Sequence, residues 1–260
     1  MTDRKLHNPN DITVVDTRDG SKTLYDKDKQ VHYRSVWGAR RESRYVFVEG
    51  SGLTRRPAPW RVLELGFGAA VNFTQTVEAC LRTPGATLDY HAVEYAPVEP
   101  SLLEFHRTEA GDIARRALAQ LGETGEPTAV EPALLQPASV EGCDGRVRLN
   151  LYPTRWLDLS ARDLLADAIY YDPFGPRSEP DSWSTECFEV AARHMAPHAI
   201  LATYSAATHV KRAIFAAGLV AATAPGPGRK REITFAAHTP DILEGRDGLE
   251  LLSRDRYLSA

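Results

Sequence analysis

The chain has 260 residues, 43% hydrophobic and 25% charged, with a formal net charge of −4; this suits one soluble α/β domain with an appendage and speaks against a uniformly basic nucleic-acid coat. Cys80, Cys143 and Cys187 are widely spaced and form no CxxC pair, so no disulfide framework and no zinc site is expected, and the setting expected is reducing and cytoplasmic. The opening MTDRKLHNPN lacks the apolar core of a signal peptide, and no later run is long and apolar enough to span a bilayer.

Residues 12–15 and 22–24 flank RDGS and read as a hairpin, the start of an N-terminal β appendage over 1–56. Tyr33, Ser35 and Trp37 then precede Arg40, Arg41 and Arg44. Aromatics beside arginines suit a base and its phosphate, and equally a solvated turn with a packed Trp. Residues 45–48 read as a strand, and RRPAP links to the main domain, 57–238.

VLELGFGAAVNF at 62–73 orders a short apolar run, an acidic residue, two spaced glycines and an amphipathic start. That is strand, tight turn and helix, the helix reaching about Leu81. Gly66 and Gly68 let a ligand approach the backbone closely. The dinucleotide spacing fails, because Val71 stands where a third glycine belongs, and Glu64 would repel a diphosphate. A ligand carrying a sulfonium, an ammonium and one carboxylate, as S-adenosylmethionine does, fits better; a turn serving only strand-to-helix packing is the plain alternative.

Residues 87–95 read as the second strand, with Glu94 near its end, where an acidic side chain accepts ribose hydroxyls. Residues 100–121 have helical periodicity, 122–145 read as an irregular connection with a helical turn at 132–136, and 146–151 as a third strand. Asp158 follows on a loop at the sheet edge, suited to an adenine amino group. Strand 167–172 ends in Asp172 and runs into PFGPRSEPDSW, whose prolines stiffen the loop and hold Asp172 and Phe174 beside Gly66. Ser184 caps a helix to about Met195, ended by Pro197. A strand at 199–204, a helix at 207–217 and a strand pair at 219–223 and 232–236 follow. Lys230 and Arg231, between that pair, suit a phosphate contact or an exposed basic turn. Residues 239–260 read as a polar tail.

These motifs in this order resemble the MnmC-type tRNA 5-aminomethyl-2-thiouridine methyltransferase family: DGSKTLY, YRS followed by ESRYVFVEGSGL, ELGFGAAVNF, DPFGPRSEPDSW, LATYSAATHVKRAIFAAG and GRKRE. The resemblance implies an α/β class I S-adenosylmethionine-dependent methyltransferase, a Rossmann-like sheet with helices on both faces and an added N-terminal β region. It implies a stand-alone module without the flavin-dependent oxidase domain of bifunctional members, and neither flavin nor metal. The implied cofactor residues are Glu64, Gly66, Phe67, Gly68, Asn72, Glu94, Asp158 and Asp172. Asp172 and Phe174 are the implied catalytic pair, and Tyr33, Ser35, Lys230 and Arg231 the substrate contacts. The implied partners are the tRNA anticodon stem-loop and a separate enzyme that supplies the aminomethyl-uridine. Two departures stand out: Ala69 and Ala70 replace the Thr-Gly pair of the family turn, and Arg34 stands where a histidine is common. A methyltransferase for a small amine and a non-catalytic nucleoside- or RNA-binding module fit the same residues.

Overall fold

A computed structural model of the chain describes residues 11–123, 136–159, 163–228 and 232–258. Strands β1 (Ile12–Asp16) and β2 (Lys22–Asp26) form the expected hairpin, with Ile12 opposite Asp26 and Asp16 opposite Lys22. The Asp19 carboxylate ties the turn by accepting from the hydroxyl of Thr17 at 2.6 Å and the amide of Ser21 at 3.1 Å. A short β3 (Val31–His32) completes a three-stranded sheet.

Residues 45–48 are not a strand. Helix α1 (Ala39–Ser43) continues into a π-helical turn, Arg44–Glu49. Val46, Phe47 and Val48 are buried in succession, which an alternating strand with one wet face does not allow. Tertiary packing overrides their β propensity: the Phe47 ring sits 5.4 Å from that of Tyr170, and a Cβ on Gly50 would come 2.6 Å from Phe235.

The main sheet begins with β4 (Trp60–Leu65), followed by α2 (Val71–Arg82), β5 (Leu88–Val93), a 3-10 turn at Pro100–Leu103 and α3 (Glu109–Glu123). The single helix expected over 100–121 is therefore two pieces. Thr108 starts the second by accepting from the Gly111 amide at 3.3 Å. The connection at 122–145 contains β6 (Ala138–Gly142), antiparallel to β7 (Val147–Tyr152), while the helical turn expected at 132–136 falls almost wholly outside the described residues.

Next come β8 (Ala166–Tyr171), α4 (Thr185–Arg193), β9 (Met195–Thr203), α5 (Thr208–Ala216), β10 (Val220–Pro225) and β11 (Glu232–Ala237). Ser184 caps α4 as expected, accepting from the Cys187 amide. Pro197 lies inside β9 rather than between elements. It sits where the register with β8 slips, between the pairs Ala166–Met195 and Ala168–Ile200, so its missing N–H breaks no ladder bond. Residues beyond Thr239 are more than a tail: β12 (Glu250–Leu251) pairs with β10, and in α6 (Asp255–Leu258) Tyr257 is buried, its ring 5.6 Å from Phe215.

The nine strands lie in the order β12-β10-β11-β9-β8-β4-β5-β7-β6. β7, β5, β4, β8 and β9 are parallel, and β11 enters antiparallel between β9 and β10. The central strands are covered on both faces, which is why they are predominantly apolar. Phe73, Tyr90 and Tyr170 pack on one face with α2 and α3; Leu63, Ile169, Tyr171 and Phe188 pack on the other with α4 and α5. From β4 the chain builds outward through β5 and β7, then returns to lay β8 and β9 on the other side. That reversal opens a crevice at the carboxyl ends of β4 and β8. Leu65 and Tyr171 are paired there, so Gly66 and Asp172 emerge side by side.

Candidate active site

The turn after β4 is locked from both neighbours. The Gly66 amide donates to Val93 O and the Asp172 amide to Leu65 O, each at 3.0 Å. Gly66 has φ +86, and a Cβ there would lie 2.8 Å from the Asp172 carbonyl oxygen, so glycine is required on both counts. Gly68 is pressed against Tyr33, whose Cδ1 would be 2.9 Å from an added Cβ. Ala70, the residue before α2, holds φ +56. His106 steadies the turn by donating from Nε2 to Ala69 O at 2.8 Å, and burial lowers its pKa to about 4, so the ring is neutral.

Asn72 is the hub of a buried polar network. Its amide nitrogen donates to Glu64 Oε1 at 2.6 Å and to Asp172 Oδ2 at 2.8 Å; its oxygen accepts from Arg34 at 2.8 Å and from the Ser43 hydroxyl at 2.6 Å. All four hydrogen-bonding positions of the amide are used. Glu64 Oε2 accepts from the Tyr90 hydroxyl at 2.7 Å. Loss of hydration raises the Glu64 pKa from 4.5 to about 8 against the pull of those donors and of Arg34, and drives Tyr90 upward as well. Arg34 also forms an ion pair with Asp172 Oδ2, the two side chains being 6% and 7% exposed. Asp172 Oδ1 has no protein partner among the described residues, and Asp172 lines the cavity.

That cavity, of about 360 Å³, gathers Glu64, Gly66, Phe67, Gly68, Asn72, Glu94, Asp172, Phe174 and Tyr33. Nine of the thirteen residues singled out from sequence thus meet in one place. Glu94 is held by the amides of Gly68 at 3.0 Å and Ala96 at 2.9 Å, and burial raises its pKa. Phe174 meets Tyr33 edge-on at 4.9 Å, and its carbonyl accepts from Trp183 Nε1 at 2.8 Å. Burial, then the charges of Glu94 and Asp26, keep the Tyr33 phenol protonated. The stiffness expected of the loop after Asp172 comes as much from Trp183 and Tyr204, which hold the carbonyls of Phe174 and Pro173, as from its prolines.

Two of the expected residues do not line this cavity. Ser35 lies off the cavity wall, its hydroxyl accepting from the Trp37 amide at 3.2 Å, a turn-forming role. Asp158 is exposed at the end of a 3-10 turn; its neighbours Thr154, Arg155, Trp156 and Leu157 form the cavity wall instead. Lys230 and Arg231 lie outside the described residues. Sequence reasoning missed Arg34 and Tyr90 as partners of the acidic groups. Arg34 carried a signal, a charged residue next to Tyr33 where the family has histidine; Tyr90 looked like any apolar strand position. Among the described residues no group of three or more His, Cys, Asp or Glu could hold a metal ion, and no helix is long and apolar enough to cross a membrane.

The site suits a zwitterionic, positively charged nucleoside. Acidic groups dominate its polar wall, one carboxylate oxygen of Asp172 is unclaimed, and Nε of Arg34 is buried without a hydrogen-bond partner. The sheet order is that of a Rossmann-like α/β fold, and residues 134–239 match the family model described as S-adenosyl-L-methionine-dependent methyltransferase. In sequence the chain is a relative of the MnmC proteins. It is 35% identical over 225 residues to the tRNA 5-methylaminomethyl-2-thiouridine biosynthesis bifunctional protein MnmC of Ralstonia nicotianae, covering 79% of this chain and 31% of that protein. It is 33% identical over 218 residues to the protein of the same name from Methylibium petroleiphilum, covering 80% and 32%. The chain thus spans about a third of the length of these relatives. The crystal structure of MnmC2 from Aquifex aeolicus shares the fold, with TM-score 0.68 and 23% identity over 88% of this chain and 70% of that one.

Proposed function

We propose that the chain N-methylates the aminomethyl group of 5-aminomethyl-2-thiouridine, or of its 2-oxo counterpart, at the wobble position of tRNA. Its substrate is the anticodon stem-loop in the cytoplasm, after a separate enzyme has installed the aminomethyl group, and the reaction calls for no flavin and no metal. Two things support this reading: the similarity to MnmC proteins named for tRNA 5-methylaminomethyl-2-thiouridine biosynthesis and, above all, the unclaimed Asp172 Oδ1 in the cavity that Gly66 and Glu94 also line.

S-adenosylmethionine, when bound, supplies a methyl group on a sulfonium. Glu94 holds the ribose hydroxyls, and the backbone of Gly66, Phe67 and Gly68 lines the methionine end. Glu64 acts there through Asn72, which it braces. Asp172 Oδ1 accepts an N–H of the neutral substrate amine and so aims the nitrogen lone pair, while Phe174 and Tyr33 pack against the nucleobase. Lys230 and Arg231 contact the RNA backbone. Positioning dominates such a reaction, since orienting a reacting pair is worth about 7–11 kcal/mol of barrier. The product ammonium then gives a proton to Asp172 Oδ1, and water at the cavity mouth removes it.

The test is incubation with methyl-labelled S-adenosylmethionine and tRNA bearing the aminomethyl modification. Label recovered on the wobble nucleoside is expected; label absent from that tRNA, with the donor bound, refutes the substrate assignment.

A further inference from the structure

Lys29, like Arg34 and Arg155, lines the cavity from outside the main sheet. Lys29 belongs to the turn between β2 and β3, which brings it over the crevice opened by Gly66 and Asp172. The turn is well fixed. The Lys29 amide donates to Oδ1 of the buried Asp26 at 2.9 Å, and Gln30 holds φ +54. The Lys29 ammonium lies 4.8 Å from the centre of the Phe174 ring.

Lys29 forms no ion pair among the described residues, although five carboxylates, those of Glu64, Glu94, Asp172, Glu179 and Asp181, line the same cavity and its charge acts on Glu94 from a distance. Four of them already have protein partners, with only Oδ1 of Asp172 left open. Glu64 is held by Asn72 and Tyr90, Glu94 by two backbone amides, Asp172 by Arg34 and Asn72, and Glu179 by the Phe174 amide and the Ser182 hydroxyl. An exposed ammonium resting on an aromatic face gains only about 0.5–1 kcal/mol from the ring, so a stronger anionic partner readily displaces it.

We propose that Lys29 is the phosphate-binding residue for the nucleotide whose base enters the cavity, and that it covers the Phe174 ring until that base arrives. This rests on the RNA reading given above. Entry of the base transfers the ammonium from the ring to the backbone phosphate, so stacking and charge neutralisation occur in one movement. A phosphate contact has a signature that a shape-filling side chain lacks: neutralising one phosphate of a single strand changes the salt dependence of affinity by a slope of about 0.7.

The test uses the full chain and a fluorescein-labelled anticodon stem-loop, with anisotropy titrations across a range of KCl concentrations. Lys29→Gln is expected to weaken binding five- to tenfold and to make the plot of log affinity against log salt shallower by about 0.7. Lys29→Arg should restore the wild-type slope. Phe174→Leu should weaken binding with the slope retained, because it removes stacking and no charge. An unchanged slope in Lys29→Gln overturns the proposal, as does an equal change of slope in Phe174→Leu. Methyl transfer by the wild-type chain to the same stem-loop is scored separately. Its absence refutes the RNA reading, whereas transfer with an unchanged Lys29→Gln slope refutes only the role of Lys29.

Discussion

Glu64→Gln isolates the electrostatics at the centre of the site. The Glu64 carboxyl is 1% exposed, and burial raises its pKa from 4.5 to about 8. The folded protein therefore holds this proton more tightly than the unfolded chain does. The resulting stabilisation is complete below pH 4.5, declines as pH rises through the interval, and is fully lost above about 8. Ionising the group in place costs about 5 kcal/mol over the whole interval, of which about 2–3 kcal/mol falls between pH 6 and 9. Glutamine has the shape of the neutral acid, and the Tyr90 hydroxyl, now donating at 2.7 Å, can turn to accept from its amide. Urea unfolding of both proteins at pH 6, 7.5 and 9 cancels the titrations they share. The variant should gain about 2–3 kcal/mol on the wild type between pH 6 and 9, about 1 M in urea midpoint. Parallel stability curves would show that Glu64 is hydrated or already ionised, and the account of the buried network would fail.

Three other substitutions probe the same architecture. Gly66→Ala places a methyl 2.8 Å from the Asp172 carbonyl at φ +86; it should cost about 2–4 kcal/mol in thermal or urea unfolding and abolish S-adenosylhomocysteine binding in calorimetry, and a neutral result would mean the turn is not held as described. Asn72→Ala strips four hydrogen bonds, two of them to carboxylates, and leaves Glu64 and Asp172 facing each other; a loss of about 3–5 kcal/mol is expected, and one below 1 kcal/mol would exclude Asn72 as the hub. Asp172→Asn keeps the shape of the side chain but weakens the acceptor and the ion pair with Arg34; kcat should fall about 100-fold or more while circular dichroism stays that of the wild type, and an unaltered kcat would remove Asp172 from the chemistry.

The sheet was largely readable from sequence because its parallel strands bury both faces and so are rich in apolar residues, as in AIYY and AILAT. The glycine turn was readable for a similar reason: Gly66 and Gly68 adopt backbone shapes that other residues resist. Misreadings arose where tertiary context outweighs local preference. RYVF has strand composition, yet it forms a helical turn because Val46, Phe47 and Val48 are buried on all sides. β6 was hidden because Ala138, Ser139 and Gly142 carry weak β propensity and gain their ladder only from β7.

In the site, the positions of acidic groups at strand ends were legible, but their partners were not. Whether Asp172 is free or paired depends on Arg34, 138 positions earlier in the chain, and on an Asn72 rotamer that joins them. The pairing engages Oδ2 and fixes the carboxylate, a detail no spacing rule supplies. Lys29 was passed over because a lysine in DKDKQ looks like solvated turn chemistry until the fold sets it against Phe174.

A crystal structure of the chain with S-adenosylhomocysteine tests the central claim most directly. The ribose hydroxyls should lie within hydrogen-bond reach of Glu94, with the sulfur between the Gly66 turn and Asp172. A ligand seated elsewhere, or with its sulfur on the far side of the turn from Asp172, would contradict the account.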